Sequence, residues 1–227
     1  ELPMHDLYTN RDDNLNPRYT FDTFIVGPFN ELAYAASQAV IKKPGKMYNP
    51  LFIYGASGLG KTHLIQAIGN EIKKVYPEKK VFYTTLERFL NEYVNSVQNS
   101  RGVPFREKYR KLDVLIIDDM QFISGKDGTQ NELFHLFNIL YEQEKSIIFS
   151  SDKHPNHIIG LEDRLKTRFN AGMTIDIQEP DLESRMAIIQ EKTSLGSITF
   201  DQDVLSYIAS SITGSIREIE GVLNIIT

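Results

Sequence analysis

The run Gly55-Ala56-Ser57-Gly58-Leu59-Gly60-Lys61-Thr62-His63 has the spacing of a phosphate-binding loop. Its glycines let backbone N–H groups close around phosphate oxygens, and a following helix adds the positive end of its dipole. Lys61 is placed to reach the β- and γ-phosphates, and the Thr62 hydroxyl suits Mg²⁺. The spacing carries weight only between a strand and a helix. Leu51–Tyr54 is an apolar run of strand length, and His63 to Val75 puts Leu64, Ile65, Ala67, Ile68 and Ile72 on one helical face. A bound nucleoside triphosphate is therefore expected.

A second chemical feature lies downstream. Val114-Leu115-Ile116-Ile117-Asp118-Asp119 is an apolar run ending in two carboxylates. In a parallel sheet, ligands sit at the carboxyl ends of the strands. Asp118 would then hold Mg²⁺ with Thr62, and Asp119 would orient or deprotonate an attacking water. By themselves the two acids would suit a solvated strand end, but the phosphate loop upstream favours the functional reading. Ile147-Ile148-Phe149-Ser150-Ser151-Asp152 ends in the same way, and two readings of Asp152 stay open. It senses the γ-phosphate, or it caps the turn before Pro155. His154 and His157 have no third ligand and no rigid helix to present them, so a surface loop is expected rather than a metal site. Arg164 and Arg168 suit surface ion pairs or, in an oligomer, a neighbour's nucleotide. Arg217 stands in the first turn of the last helix, against the helix dipole, which points to an external anion such as a γ-phosphate.

Five apolar runs must position these groups: Leu51–Tyr54, Val81–Thr84, Val114–Ile117, Ile147–Ser150 and Met173–Ile177. Continuous runs of this length, alternating with helical stretches, predict a three-layer α/β domain with a five-stranded parallel sheet. Residues 1–15 are polar and aperiodic and read as a linker remnant. The α/β domain is expected over 16–179 and a small, truncated all-helical lid over 180–227. Ser215-Ile216-Arg217-Glu218 has capping-box spacing, so a helix is expected to start at Ser215. The chain opens on Glu1 and is apolar to its last residues, which suggests a piece cut from a longer protein.

The 227 residues carry 25 Lys and Arg against 30 Asp and Glu, a formal net charge of −5, so any nucleic-acid contact must come from a local cluster. No cysteine is present, which excludes disulfides and thiol chemistry and fits a cytoplasmic setting. No run approaches a membrane span and no signal peptide opens the chain.

Taken together the motifs resemble the AAA+ ATPases and, more narrowly, the ATPase domain of the bacterial replication initiator family DnaA. The resemblance rests on Asn16-Pro17-Arg18-Tyr19-Thr20-Phe21, Gly58-Leu59-Gly60-Lys61-Thr62-His63, Ile117-Asp118-Asp119-Met120-Gln121-Phe122 and Glu162-Asp163-Arg164-Leu165-Lys166-Thr167-Arg168-Phe169, and it runs from about Asn14 to the end. It implies ATP or ADP with Mg²⁺, and an adenine pocket from Tyr19 to Val26 (Phe24, Ile25 and Val26 included) with Asn30. It implies Arg168 as a finger on the next protomer's ATP, Arg164 at that interface, and Arg217 as the lid arginine. ATP-bound subunits would form a right-handed filament that slow, Mg-dependent hydrolysis switches off. The helical segment Leu86–Lys111 would be the insertion that enforces an open spiral.

The same resemblance implies a grip on single-stranded origin DNA at Val94, Lys126 and Thr129. Gly128 stands where a basic residue is common, so the grip of one subunit should be weak and salt-sensitive. Read from the residues alone, Lys126 is an ordinary solvated loop lysine. The family's duplex-reading domain and the domain that recruits other replication proteins would lie outside this chain, and contact with acidic lipids near the lid is compatible with it. Two other readings compete: a AAA+ helicase loader or DnaA-related regulator, and a small-molecule kinase, for which no acceptor pocket or mobile lid is evident.

Overall fold

The computed structural model describes residues 12–99, 101–194, 200–212 and 214–226. Five strands form one parallel sheet: β1 (Leu51–Tyr54), β2 (Val81–Thr85), β3 (Val114–Asp118), β4 (Ser146–Ser151) and β5 (Met173–Asp176). Their order is β2-β3-β4-β1-β5, so β1 lies between β4 and β5 rather than beside β2. The reversal of strand order at β1 opens a crevice above its carboxyl end, the usual ligand position in an open parallel sheet.

Side chains alternate between two buried layers because strand geometry has a period of two. Ile53, Val81, Tyr83, Val114, Ile116 and Ile148 face a core shared with α1 (Glu31–Lys42) and α2 (Lys61–Val75). Phe52, Phe82, Leu115, Ile117, Ile147 and Phe149 face the opposite core, filled by α3 (Leu86–Gln98), α4 (Gly102–Arg110), α5 (Asp127–Glu142) and α6 (Asp163–Phe169). Burial on both faces explains why the strands read as unbroken apolar runs. The expected Leu86–Lys111 segment is the pair α3 and α4, packed through Phe89, Phe105 and Tyr109 with ring centroids 4.9–5.4 Å apart.

The lid consists of α7 (Leu182–Ser194), α8 (Gln202–Ser211) and α9 (Ile216–Ile226), around a small core of Ile189, Leu205, Ile208, Ala209, Ile219 and Leu223. Ser215 Oγ accepts from the Glu218 N–H at 3.3 Å, as the capping-box spacing predicts.

The linker reading needs correction at its end. Residues 1–11 lie outside the described residues, but Asp13 and Leu15 are buried at 3% and 2% exposure. Leu15 joins the α2 core, and the Tyr83 N–H donates to the Asp13 carbonyl at 2.8 Å. The segment is therefore part of the domain, ordered by contacts with residues far along the chain.

Phe169 anchors α6 between Phe52 (5.5 Å between ring centroids) and Phe149 (4.7 Å) and is fully buried. Phe169→Ala should cost about 3–5 kcal/mol and lower Tm by roughly 10 °C in a thermal melt, with Phe169→Leu recovering most of the loss.

Candidate nucleotide site

The phosphate loop is held from three sides. Gly55 has φ +152°, and a Cβ there would lie 2.3 Å from the Ile177 carbonyl oxygen that follows β5. Gly58 has φ +78°, and a Cβ there would lie 2.7 Å from the Ser215 Cβ at the start of the lid helix. Only glycine meets both the backbone demand and the close approach. Leu59, 2% exposed, pins the loop into the core. Lys61 caps this arrangement from inside: its ammonium donates to the Gly55 and Ala56 carbonyls, each at 2.7 Å. Burial pulls the Lys61 pKa down, against the pull of Asp118, Asp119 and Asp152.

Thr62 and Asp118 meet as the motif spacing predicts. Thr62 Oγ1 donates to Asp118 Oδ2 at 2.7 Å. A hydroxyl beside a carboxylate is a donor set for a hard cation. Among the described residues no group of three or more His, Asp or Glu side chains is placed to hold a metal alone. A cation held here would complete its shell from phosphate and water, as Mg²⁺ does.

Asp119 begins the 3-10 turn Met120–Ile123 in a left-handed conformation, φ +62°, a strained choice for a non-glycine residue. Gln121 ties the ends of β3 and β4 together. Its Nε2 donates to Asp119 Oδ1 at 3.0 Å, and its Oε1 accepts from the Asp152 N–H at 3.2 Å. Burial, then the Asp118 charge, pushes the Asp119 pKa up, so this carboxylate is a stronger base than usual. Asp152 does not cap the turn before Pro155. Ser151 Oγ and His154 Nδ1 accept the N–H groups there, and Asp152 Oδ1 is buried without a hydrogen-bond partner. His154 and His157 form a loop pair with ring centroids 5.7 Å apart, and His154 packs edge-on to Tyr54.

Above the loop lies a cavity of about 420 Å³. Tyr19, Phe24, Ile25 and Asn30 line one end, and Ser57, Gly58, Gly60, Lys61, Thr62, His63 and Asp119 the other. Asn30 ties the turn at the first of these ends, accepting from the Gly27 N–H at 3.0 Å and donating to the Ile25 carbonyl at 2.9 Å. His63 packs against Tyr19 and Phe24 at 5.0 and 5.3 Å, and its Nε2 lies 2.8 Å from the Thr20 carbonyl, which requires a proton on Nε2, while burial pulls the ring's pKa down. The lid closes the cavity with Ile188, Lys192, Ile216, Arg217 and Glu220. Arg217 Nη1 donates to Ser57 Oγ at 3.5 Å, so this arginine faces the loop.

Several expected residues fall elsewhere. Val26 stays outside the cavity at 43% exposure, because the Asn30-held turn directs it to solvent. Gly55, Ala56 and Leu59 shape the loop without lining the cavity. Thr129, expected at single-stranded DNA, is 4% exposed in the first turn of α5. Val94 is 45% exposed on α3, and Lys126 stands exposed at the α5 N-cap. Arg164 and Arg168 take no part in this cavity. They sit on the outer face of α6, with guanidinium carbons 4.8 and 5.9 Å from the Phe134 ring centroid. Gln121, Ile188, Lys192 and Glu220 were not singled out from sequence. Their helical or turn spacing marks them only as core or surface, and no local pattern says which faces the crevice.

The family model of the bacterial DnaA ATPase domain matches residues 15–176. The chromosomal replication initiator protein DnaA of Lachnoclostridium phytofermentans is 56% identical over 92% of this chain, which spans 47% of that protein. The chain thus spans about half the length of the curated relatives it matches. Domain III of the Thermotoga maritima replication initiation protein DnaA, a crystal structure, is 44% identical with a TM-score of 0.88, covering 92% of this chain and 87% of that one. A DnaA structure bound to AMPPCP and single-stranded DNA is 42% identical with a TM-score of 0.88, covering 94% of this chain and 66% of that one. By the match of its family model and by these identities, the chain belongs to the bacterial DnaA ATPase domain family.

Proposed function

We propose that this chain is the ATP-controlled assembly unit of a replication initiator. Bound ATP would join subunits into a right-handed filament on origin DNA, and slow hydrolysis to ADP would release it. The observation that carries this reading is the position of Arg164 and Arg168. Arg168 lies over Phe134 on the outer face of α6, away from the chain's own cavity, with Arg164 beside it paired to Glu162 and Asn131, whereas Arg217 reaches that cavity from the lid. A charge meant for a neighbour's γ-phosphate belongs on such a face.

Thr62 and Asp118 would hold Mg²⁺, which on binding neutralises phosphate charge. Asp119, with its raised pKa, would accept the proton of the attacking water. Asp152 would align the γ-phosphate. Helicase loaders and regulators are less well supported, because the relatives at about half identity are named replication initiators. The setting would be cytoplasmic, where the chromosome lies. Among the described residues no helix is long and apolar enough to cross a membrane.

Single-stranded DNA would lie along the insertion. Val94, Val97 and Val103 expose apolar surface there, and Lys126 supplies charge. Lys126→Ala should weaken strand binding and flatten the slope of log K against log salt by about 0.7 per subunit, measured by fluorescence anisotropy at several salt concentrations.

Sedimentation tests the central reading. With a non-hydrolysable ATP analogue and single-stranded DNA the chain should assemble, and with ADP it should stay monomeric. Equal assembly in both nucleotides would contradict an ATP-controlled unit.

A further inference from the structure

We infer that Tyr83 is a positioning residue for Asp118, and that the segment Asp13–Asn16 sets Tyr83 in place. The inference rests on the proposed role of Asp118. That carboxylate is 1% exposed, and a buried charge is tolerable only when hydrogen bonds replace its water. Four donors surround it. Ser150 Oγ and the Asp119 N–H donate to Oδ1, and Thr62 Oγ1 and the Tyr83 hydroxyl donate to Oδ2, the latter at 2.9 Å. Tyr83 is therefore the donor that shares an oxygen with Thr62, and it fixes the direction in which that oxygen faces the phosphate loop. Alternation on β2 and β3 brings Tyr83 and Asp118 to the α2 side of the sheet.

Tyr83 is itself clamped from outside. β2 is an edge strand, and one side of its backbone would face nothing without further chain. Asp13 and Asn14 fill that side. The Tyr83 N–H donates to the Asp13 carbonyl at 2.8 Å, and Asn14 Nδ2 donates to the Tyr83 carbonyl at 3.1 Å. The same segment is tied to α2: Asp13 pairs with Lys73, and the Asn16 N–H donates to Gln66 Oε1 at 2.8 Å. The segment thus bridges β2 to the helix that carries Thr62. A shift of these few residues would move both donors to Asp118 Oδ2.

The test compares Tyr83→Phe, Asn14→Gly and Asp118→Asn with the unaltered chain. Glycine suits position 14, where φ is +59°, and removes only the amide. Two quantities are read: the Mg²⁺ concentration needed to raise Tm in the presence of ADP, and the split between KM and kcat for ATP. Tyr83→Phe should raise the Mg²⁺ requirement and lower kcat, each by roughly tenfold, as removing an outer partner of a ligand does. Its KM, its ADP binding in EDTA and its Tm without nucleotide should stay near those of the unaltered chain. Asn14→Gly should move both quantities in the same direction by less. Asp118→Asn should abolish the Mg²⁺ response; if it does not, the reading of Asp118 falls, and this inference with it. If Asp118→Asn behaves as expected but Tyr83→Phe matches the unaltered chain, the positioning role is overturned. A Tyr83→Phe chain that loses Tm and EDTA binding together would mark a packing role only. An unmoved Asn14→Gly would overturn the role of the segment.

Discussion

Lys61→Ala should abolish nucleotide binding in equilibrium dialysis while leaving the fold intact. Lys61 is 7% exposed, and its ammonium is held by two loop carbonyls at the cavity floor. A phosphate entering the loop would draw that ammonium into charge-assisted bonds worth about 1.5–3 kcal/mol each, so losing two of them lowers affinity by roughly a hundredfold or more. The fold should survive because Leu59, Leu64 and Ile65 anchor the loop and helix independently of the lysine. A melting temperature near that of the unaltered chain separates loss of binding from loss of structure.

Arg168→Ala should leave nucleotide binding unchanged and reduce turnover of the assembled form by roughly a thousandfold or more, the range an arginine finger commands. The side chain lies outside its own cavity, so its removal takes nothing from the bound nucleotide of the same subunit. Its anchorage is secure. Leu165 and Phe169 on the inner face of α6 are fully buried, and the outer face carries the two arginines. A single-turnover assay with and without single-stranded DNA measures the loss.

The local parts of this site could be read from the chain because each has a short signal. The phosphate loop has its spacing, β3 its terminal acids, and α9 its capping box. The strands were readable because burial on both faces makes them unbroken apolar runs. Relations between distant segments were not readable. Strand order is one such case, since no local pattern places β1 between β4 and β5. Asp13–Asn16 is another. A short polar run reads as linker, and its order comes from Tyr83, Lys73 and Gln66, all more than forty residues away in sequence. The exposure of Thr129 and of Val26 was not readable either. A threonine three residues after a loop lysine is buried, and a valine directly after a pocket residue is exposed, because a turn or helix start decides side-chain direction more than neighbourhood does. Tyr83 gave no signal beyond that of an ordinary strand aromatic.

Mixing two inactive variants tests the central claim most directly. Lys61→Ala lacks its own nucleotide but keeps Arg168, whereas Arg168→Ala binds nucleotide but lacks the finger. If one subunit's Arg168 serves the nucleotide of the next, ATP turnover on single-stranded DNA should be absent from each variant alone and return when they are combined. Turnover by Arg168→Ala alone at the unaltered rate, or a mixture as inactive as its components, would contradict catalysis shared between subunits.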